Sequence, residues 1–281
     1  MSKSASLFQA AAGSLLFAAA SSVAFAATPP ITFTWNPSGT VPPLSASGAF
    51  SADKGFLANY TSIDLASNNP GPNNFTEQGF LPVTSFGLGG ATVGTPVNQA
   101  GGYGLYIAFT ASGVQNGPLP TTIGETVSGS FTSLSYSLFG VPGGPATFTQ
   151  NGDGTFSANA PGAINLGGGS LVNPGGNSLT LTSAGLLPAA QVIADFNANP
   201  AQAGFFVNPD ASIKLFFDTA FTNTTSVIST QPLAGGGTRI SINGGGGNFT
   251  VSPIPEPETY AMMLAGLGLM GFVARRRMKK S

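Results

Sequence analysis

Few residues in this 281-residue chain have the types and the spacing that chemistry requires. Asn151, Asp153 and Thr155 stand at alternate positions, as the first oxygen ligands of a calcium-binding loop do. Such a loop needs a bidentate glutamate at its twelfth position, where this chain has Gly162. The sequence therefore favours a tight hairpin turn through residues 151–154, and we predict no metal site.

Catalytic groups are equally scarce. Paired carboxylates for glycoside hydrolysis could come from Asp195, Asp210 or Asp218, but no spacing marks two of them as a pair. The chain has no cysteine and no histidine, which excludes thiolate nucleophiles, His-based triads and His-ligated zinc or copper. We therefore expect no catalytic residue, no cofactor and no enzymatic activity, and a secreted hydrolase is the less favoured alternative.

The distribution of charge argues against a nucleic-acid partner. Only 7% of the residues are charged, whereas soluble domains average about 25%. Residues 27–252 contain eight acidic and three basic residues, a net charge of −5. Nucleic-acid binding needs a basic face, which this composition cannot supply.

The elements available to position side chains are mainly short β-strands. Residues 31–35 alternate apolar and polar types, and residues 212–221 give the strongest strand pattern. Residues 189–196 are the one helical candidate, ended by Asn197 and Pro200. Residues 238–242 and 248–251 are predicted to form a last hairpin.

Short strands joined by Gly, Asn and Pro turns at roughly ten-residue spacing favour an all-β fold. We predict an antiparallel β-sandwich or jelly-roll-like body. Trp35 is the single tryptophan, and we expect it in the core, with a sugar-stacking platform as the alternative.

The N-terminal residues have the pattern of a cleavable signal peptide. Lys3 precedes an apolar stretch at residues 7–25, and Ala24 and Ala26 fill the two small-residue positions of a cleavage site. We expect signal peptidase to cleave after Ala26, which gives a signal peptide at residues 1–26 and an exported body at residues 27–252.

The C-terminal residues combine three signals in order. Pro255, Glu256 and Pro257 form a stiff, extended spacer, because proline cannot join a helix ladder. The apolar run at residues 261–274 would form a helix of roughly 21 Å, short of the ~30 Å hydrocarbon core. A basic anchor follows, and its long side chains can extend the span by snorkelling: Arg275, Arg276 and Arg277. We therefore predict a single transmembrane helix that holds the chain transiently in the inner membrane.

The order of Pro-Glu-Pro, a short apolar helix and an arginine cluster over residues 253–281 resembles the PEP-CTERM sorting signal. That resemblance implies export in a Gram-negative bacterium and processing by exosortase, a membrane enzyme linked to exopolysaccharide production. It covers only the C-terminal part of the chain.

A second resemblance concerns the body. Residues 31–39 (ITFTWNPSG), 50–55 (FSADKG) and 59–60 (NY) are similar to the flocculation-associated PEP-CTERM proteins. This implies a cell-surface or extracellular-matrix protein that acts with exopolysaccharide in flocculation or biofilm cohesion. A lectin-like glycan-binding module is the alternative, and it would need an exposed aromatic residue such as Trp35 or Tyr60.

Overall fold

The computed structural model describes residues 31–208, 215–222 and 227–253, and most of them lie in β-strands. Two short 3-10 turns occupy Pro37–Gly39 and Pro200–Phe205. The strands are β1 (Phe33–Trp35), β2 (Phe50–Ala52), β3 (Lys54–Leu57), β4 (Tyr60–Leu65), β5 (Asn73–Leu88), β6 (Ala91–Val93), β7 (Tyr103–Gln115), β8 (Thr126–Pro142), β9 (Thr147–Gln150), β10 (Phe156–Asn159), β11 (Ile164–Thr182), β12 (Gly185–Ala198), β13 (Phe206–Asn208), β14 (Leu215–Thr222), β15 (Val227–Pro232), β16 (Thr238–Asn243) and β17 (Gly246–Pro253).

Twelve of these strands form one antiparallel sheet. Three long strands of the sheet each consist of two consecutive segments: β3 with β4, β14 with β15, and β16 with β17. The two segments of each long strand line up, one after the other, along one neighbouring long strand. The sheet then runs in chain order through β5, β7, β8, β11 and β12. The last long strand pairs with the first, so the sheet closes on itself. We call this eight-member meander the closed sheet.

The all-β, antiparallel prediction is therefore confirmed. The arrangement differs from two separate sheets packed face to face, since continuous hydrogen bonding joins all eight members. Among the described strands, members that are adjacent in the closed sheet are also consecutive along the chain, apart from the first and the last, so the sheet lacks the long crossover connections of a jelly roll.

The predicted helix at residues 189–196 is wrong, because these residues lie in β12. Val192, Ala194 and Phe196 are buried at every second position, which is the period of a strand. β12 pairs with β11 on one edge and β14 on the other, so its backbone groups are satisfied on both sides. This pairing outweighs the local helix preference of alanine and glutamine.

The predicted hairpin between residues 238–242 and 248–251 is also wrong. Gly244 and Gly245, at φ of 92° and 90°, connect β16 and β17 without folding one back on the other. Each segment instead pairs along β4 and β3, respectively. The glycines allow the chain to keep its direction through a backbone conformation that side chains disfavour.

One end of the closed sheet is filled by a small three-stranded sheet in the order β13-β1-β2. Trp35 on β1 is only 1% exposed, which confirms its predicted place in the core. Its ring centroid lies 4.8–6.1 Å from those of the surrounding aromatic side chains, which are Phe33, Phe86, Phe205, Phe206 and Phe249. We call this group the end plug.

The two 3-10 turns hold the end plug in place through a close backbone contact. A side chain at Gly39 would meet the carbonyl oxygen of Gly204 at 2.0 Å, and the reverse contact would be 2.3 Å. Only glycine at both positions permits this approach.

The rest of the interior holds a second apolar cluster, which includes Leu65, Phe75, Phe131, Leu179 and Ile240. No helix within the described residues has the length and apolarity needed to cross a membrane. The predicted signal peptide at residues 1–26 and the predicted transmembrane helix at residues 261–274 lie outside the described residues.

Candidate functional site

A β-hairpin lies against the outer face of the closed sheet. It consists of β9 and β10, which pair antiparallel from Thr147 with Asn159 to Gln150 with Phe156. The predicted turn at residues 151–154 connects them, and the backbone N–H of Asn151 closes the turn by donating to the carbonyl oxygen of Thr155 at 2.8 Å. This two-stranded element is separate from the closed sheet in its hydrogen bonding, so side chains must hold it in place.

Arg239 on β16 fastens the hairpin to the sheet. Its Nε and Nη2 atoms donate to the two carboxylate oxygens of Asp64 on β4, both at 2.6 Å. Its Nη1 atom donates to the carbonyl oxygen of Asp153 in the turn, at 2.9 Å. Ser241 Oγ donates to the carbonyl oxygen of Gly154, at 2.6 Å. The hydrogen bonds to Asp64 raise the pKa of the Arg239 guanidinium, so this anchor stays charged.

The turn uses the oxygen atoms that a calcium ion would need. Asp153 Oδ1 accepts hydrogen bonds from the Thr155 hydroxyl at 2.6 Å and the Thr155 amide at 3.0 Å. These bonds are the main reason that the pKa of Asp153 is lowered. Its Oδ2 lies 3.4 Å from the Arg239 guanidinium, whose positive charge would repel a cation. The described residues contain no group of three metal-binding side chains.

Aromatic side chains fill the space between the hairpin and the sheet. The Phe148 ring on β9 lies 5.2 Å from Tyr60, 5.3 Å from Phe80 and 5.6 Å from Tyr106. Phe156 on β10 approaches the edge of Tyr60 at 6.0 Å. Tyr60, the predicted exposed platform, therefore lies beneath the hairpin, and Trp35 is buried in the end plug.

A groove of about 470 Å³ remains between the hairpin and strands β5, β7 and β8. We call it the hairpin groove. Aromatic side chains contribute apolar surface, polar side chains lie among them, and no charged side chain lines the groove. The lining side chains include Phe80, Phe139, Phe156, Gln78, Thr110, Ser135, Ser137 and Thr155. Thr110 and Ser135 are direct cross-strand partners, and both are exposed.

Further hydroxyl groups continue this surface along the same strands. Ser112 Oγ lies 2.7 Å from Ser133 Oγ, one step beyond the groove. The alternation of Ser and Thr at residues 110–112 and 133–137 places the hydroxyls outward, opposite the buried apolar positions. This period-two pattern was visible in the sequence, but only the pairing of β7 with β8 shows that the two rows adjoin.

Among the three carboxylates considered for a hydrolytic pair, the structure describes the side chain of Asp195 alone. Asp195 faces outward on β12 and accepts hydrogen bonds from the Ser170 amide at 2.5 Å and the Asn197 side chain at 3.3 Å. The side chains of Asp210 and Asp218 lie outside the described residues. For the hydrolase alternative, the one described carboxylate already accepts hydrogen bonds from the protein, and no second carboxylate can be placed beside it from the described side chains.

The residues predicted for cleavage and sorting also lie outside the described residues, namely Ala24, Ala26, Pro255, Glu256, Pro257, Arg275, Arg276 and Arg277. The structure does describe where the sorting region starts. β17 ends at Pro253, and this strand lies between β14 and β3 in the closed sheet.

Loss of the Arg239 side chain should weaken the attachment of the hairpin to the closed sheet and lower the stability of the protein. We expect Arg239→Met to lower the free energy of unfolding by about 1–3 kcal/mol, because it breaks charge-assisted hydrogen bonds and leaves Asp64 without its cation. The hairpin should also be cleaved faster in limited proteolysis. Lys54→Met is the matched control, since Lys54 makes no ion pair among the described residues. Equal cleavage rates in the two variants would contradict the anchoring role.

No curated protein and no solved structure matches the chain. A family model does match residues 253–277, and its description is the PEP-CTERM protein-sorting motif. The match begins at Pro253, the last residue of β17, and covers the Pro-Glu segment, the apolar run and the arginines. The chain therefore carries a PEP-CTERM protein-sorting motif, which implies an exported protein that is processed by exosortase and directed to the cell surface.

Proposed function

We propose that this exported protein acts with exopolysaccharide in flocculation or biofilm cohesion, as a non-catalytic component of the cell surface or extracellular matrix. The observation that carries the proposal is the hairpin groove, an uncharged concave surface of hydroxyl groups and aromatic rings on an exported protein. Sugar rings combine hydroxyl groups with apolar C–H faces, so this mixture of side chains suits them.

The chemistry of the groove favours a neutral polysaccharide. Thr110, Ser135 and Gln78 are exposed hydrogen-bonding groups, and Phe156 and Phe139 offer partly exposed rings on the same surface. Each such contact is weak, because protein–sugar hydrogen bonds replace hydrogen bonds with water. Many copies of the protein on one polymer would nevertheless bind strongly through multivalency.

The hairpin groove also supports a second candidate, a lectin-like module with one defined glycan. Its volume of about 470 Å³ falls within the range of ligand pockets. The two functions differ in what competes for binding. A single sugar should displace the protein from the polymer if the groove is a lectin site, whereas only the polymer should compete if cohesion depends on many weak contacts.

A paired substitution in the groove tests the proposed function. We expect Thr110→Tyr with Ser135→Tyr to fill the groove, while tyrosine preserves the strand preference of these positions. In a deletion strain, this variant should reach the cell surface but sediment flocs poorly. Its retention by exopolysaccharide from the same strain should fall by about tenfold or more, which corresponds to 1.4 kcal/mol or more.

Thr126→Tyr with Thr180→Tyr is the matched control. These threonines are also cross-strand partners with adjacent hydroxyls, 2.8 Å apart, but they lie outside the hairpin groove. This control should restore flocs as the unchanged protein does. Salt should have little effect on retention, because no charged side chain lines the groove. Normal flocculation of the deletion strain, or equal behaviour of both double variants, would refute the proposal.

A further inference from the structure

The interior of the closed sheet contains a cavity that is lined largely by side chains of the second apolar cluster. Its volume is about 100 Å³, and we call it the inner cavity. Its walls come from strands on all sides of the described interior and are mostly apolar, with lining side chains that include Phe75, Leu81, Ile107, Phe131, Val192 and Ile240. A smaller number of polar side chains also line the cavity, including Asn59, Gln115, Asn177 and Ser178.

Glu77 on β5 projects into the inner cavity. Along this strand, Phe75, Glu77 and Leu81 share the inward face, while Thr76 and Gln78 face outward. The carboxyl group makes no hydrogen bond or ion pair with any described residue, and burial raises its pKa from 4.5 to about 8. Below that pH the group is therefore a neutral carboxylic acid, which can donate a hydrogen bond.

The other groups around Glu77 do not supply a charge. Its cross-strand partners are Ile63 on β4 and Ala111 on β7, both apolar. Tyr136 on β8 is the other titratable group in the described cavity wall, but its hydroxyl donates to the carbonyl oxygen of Asp195 at 2.7 Å. Burial holds the pKa of Tyr136 well above its ordinary value. Gln115 donates to the carbonyl oxygen of Gly117 at 2.8 Å.

The Glu77 side chain is half-buried and makes no hydrogen bond with a described residue, so the protein only partly compensates its carboxyl group for lost hydration. Because both cross-strand neighbours are apolar, leucine at this position would lose no described hydrogen bond. The carboxyl group is therefore better explained by something that enters the cavity than by the stability of the fold.

We propose that the inner cavity binds a small, neutral, mainly apolar molecule with one hydrogen-bond acceptor, and that Glu77 donates a hydrogen bond to that acceptor. An apolar cavity of about 150 Å³ can hold benzene, so about 100 Å³ suits a molecule of roughly five heavy atoms. A short-chain ketone has this size and this chemistry. A charged ligand is disfavoured, because the apolar walls would not replace its hydration.

The test uses the full-length protein with 2-butanone as the probe and 2-methyl-1-butene as its hydrocarbon isostere. Saturable binding of 2-butanone, observed by NMR and followed from pH 6 to 10, should be constant below about pH 8. It should then weaken by about tenfold per pH unit as Glu77 loses its proton. Binding of the isostere should be weaker at pH 6 and should not fall in this way.

Two variants separate the effect of hydrogen-bond donation by residue 77 from the effect of the shape of the inner cavity. Glu77→Gln keeps an N–H donor, so it should retain 2-butanone binding and lose the pH dependence. Glu77→Leu should remove the preference for the ketone over its isostere. Glu125→Gln is the control, because Glu125 is an exposed carboxyl whose pKa is lowered by hydrogen bonds from the backbone of Thr121 and Thr122. This control should behave as the unchanged protein does.

The pH dependence of unfolding gives an independent readout. A carboxyl with a pKa of 4.5 in the unfolded chain and about 8 in the folded one contributes stability that is complete below pH 4.5 and declines until about pH 8. Glu77→Gln should abolish this decline, and Glu125→Gln should not. Absence of saturable 2-butanone binding, equal binding of ketone and isostere at pH 6, or ketone binding by Glu77→Leu with unchanged preference would overturn the proposal.

Discussion

Replacement of Pro255, Glu256 and Pro257 by alanine should leave the protein unprocessed and held in the membrane. The three residues fall inside the matched sorting motif, immediately before its apolar run. Prolines keep this segment extended, whereas three alanines would allow a helix to continue toward the membrane. An enzyme that recognises an extended peptide would then lose its substrate, and nearly all of the protein should remain in full-length form.

The measurement is the intact mass and the cellular fraction of the protein. The unchanged protein in cells without exosortase should give the same mass and fraction as the triple variant in cells with exosortase. Glu258→Gln is the matched control within the same segment, because it keeps all three replaced residues. Normal release of the triple variant would show that the Pro-Glu-Pro sequence does not direct processing.

Trp35→Ala should give the largest loss of stability of any substitution in the described body. Trp35 is 1% exposed, and its ring is surrounded by the aromatic side chains of the end plug. Removing a buried aromatic ring typically costs about 3–5 kcal/mol, because apolar burial is lost and a cavity remains. Since β1 also joins β13 to β2, the end of the closed sheet should loosen with it.

Denaturant unfolding followed by far-UV circular dichroism measures this loss, since the variant has no tryptophan fluorescence to follow. Val41→Ala is the control, because Val41 is an apolar residue that is 72% exposed. It should change the free energy of unfolding by less than about 0.5 kcal/mol. A Trp35→Ala midpoint close to that of the control would mean that the end plug contributes little to stability.

The all-β class of the fold could be predicted from the sequence, but the closure of the sheet could not. Period-two alternation, as in residues 31–35, marks a strand and the face that it buries. It does not say which strand lies beside it. The pairing of β17 with β3 joins residues almost 200 positions apart, and no local signal encodes that contact.

The wrong helix prediction has a similar cause. Residues 189–196 include three alanines and one glutamine, which favour a helix locally. Both edges of β12 are nevertheless occupied by β11 and β14, and this long-range pairing determines its structure. Local propensity is a weak guide wherever a strand lies between two others.

The candidate sites show the same limit. The sorting motif could be recognised directly, because its three signals are consecutive in the sequence. The hairpin groove requires β5, β7, β8 and the hairpin to meet, and so it becomes visible only in the fold. No sequence signal distinguishes Glu77 from the other acidic residues, because only the inward direction of its side chain on β5 places it in the inner cavity.

The position of β17 has a consequence for the timing of folding during export. A chain that crosses the membrane with its N-terminal end leading delivers β3 early, but this strand must wait for β17 before the closed sheet is complete. Until then the incomplete sheet exposes unpaired edges that could join those of other chains. β17 ends at Pro253, where the sorting motif starts. The strand that completes the fold and the segment that exosortase reads thus emerge one after the other, so the sorting step follows the delivery of every described strand.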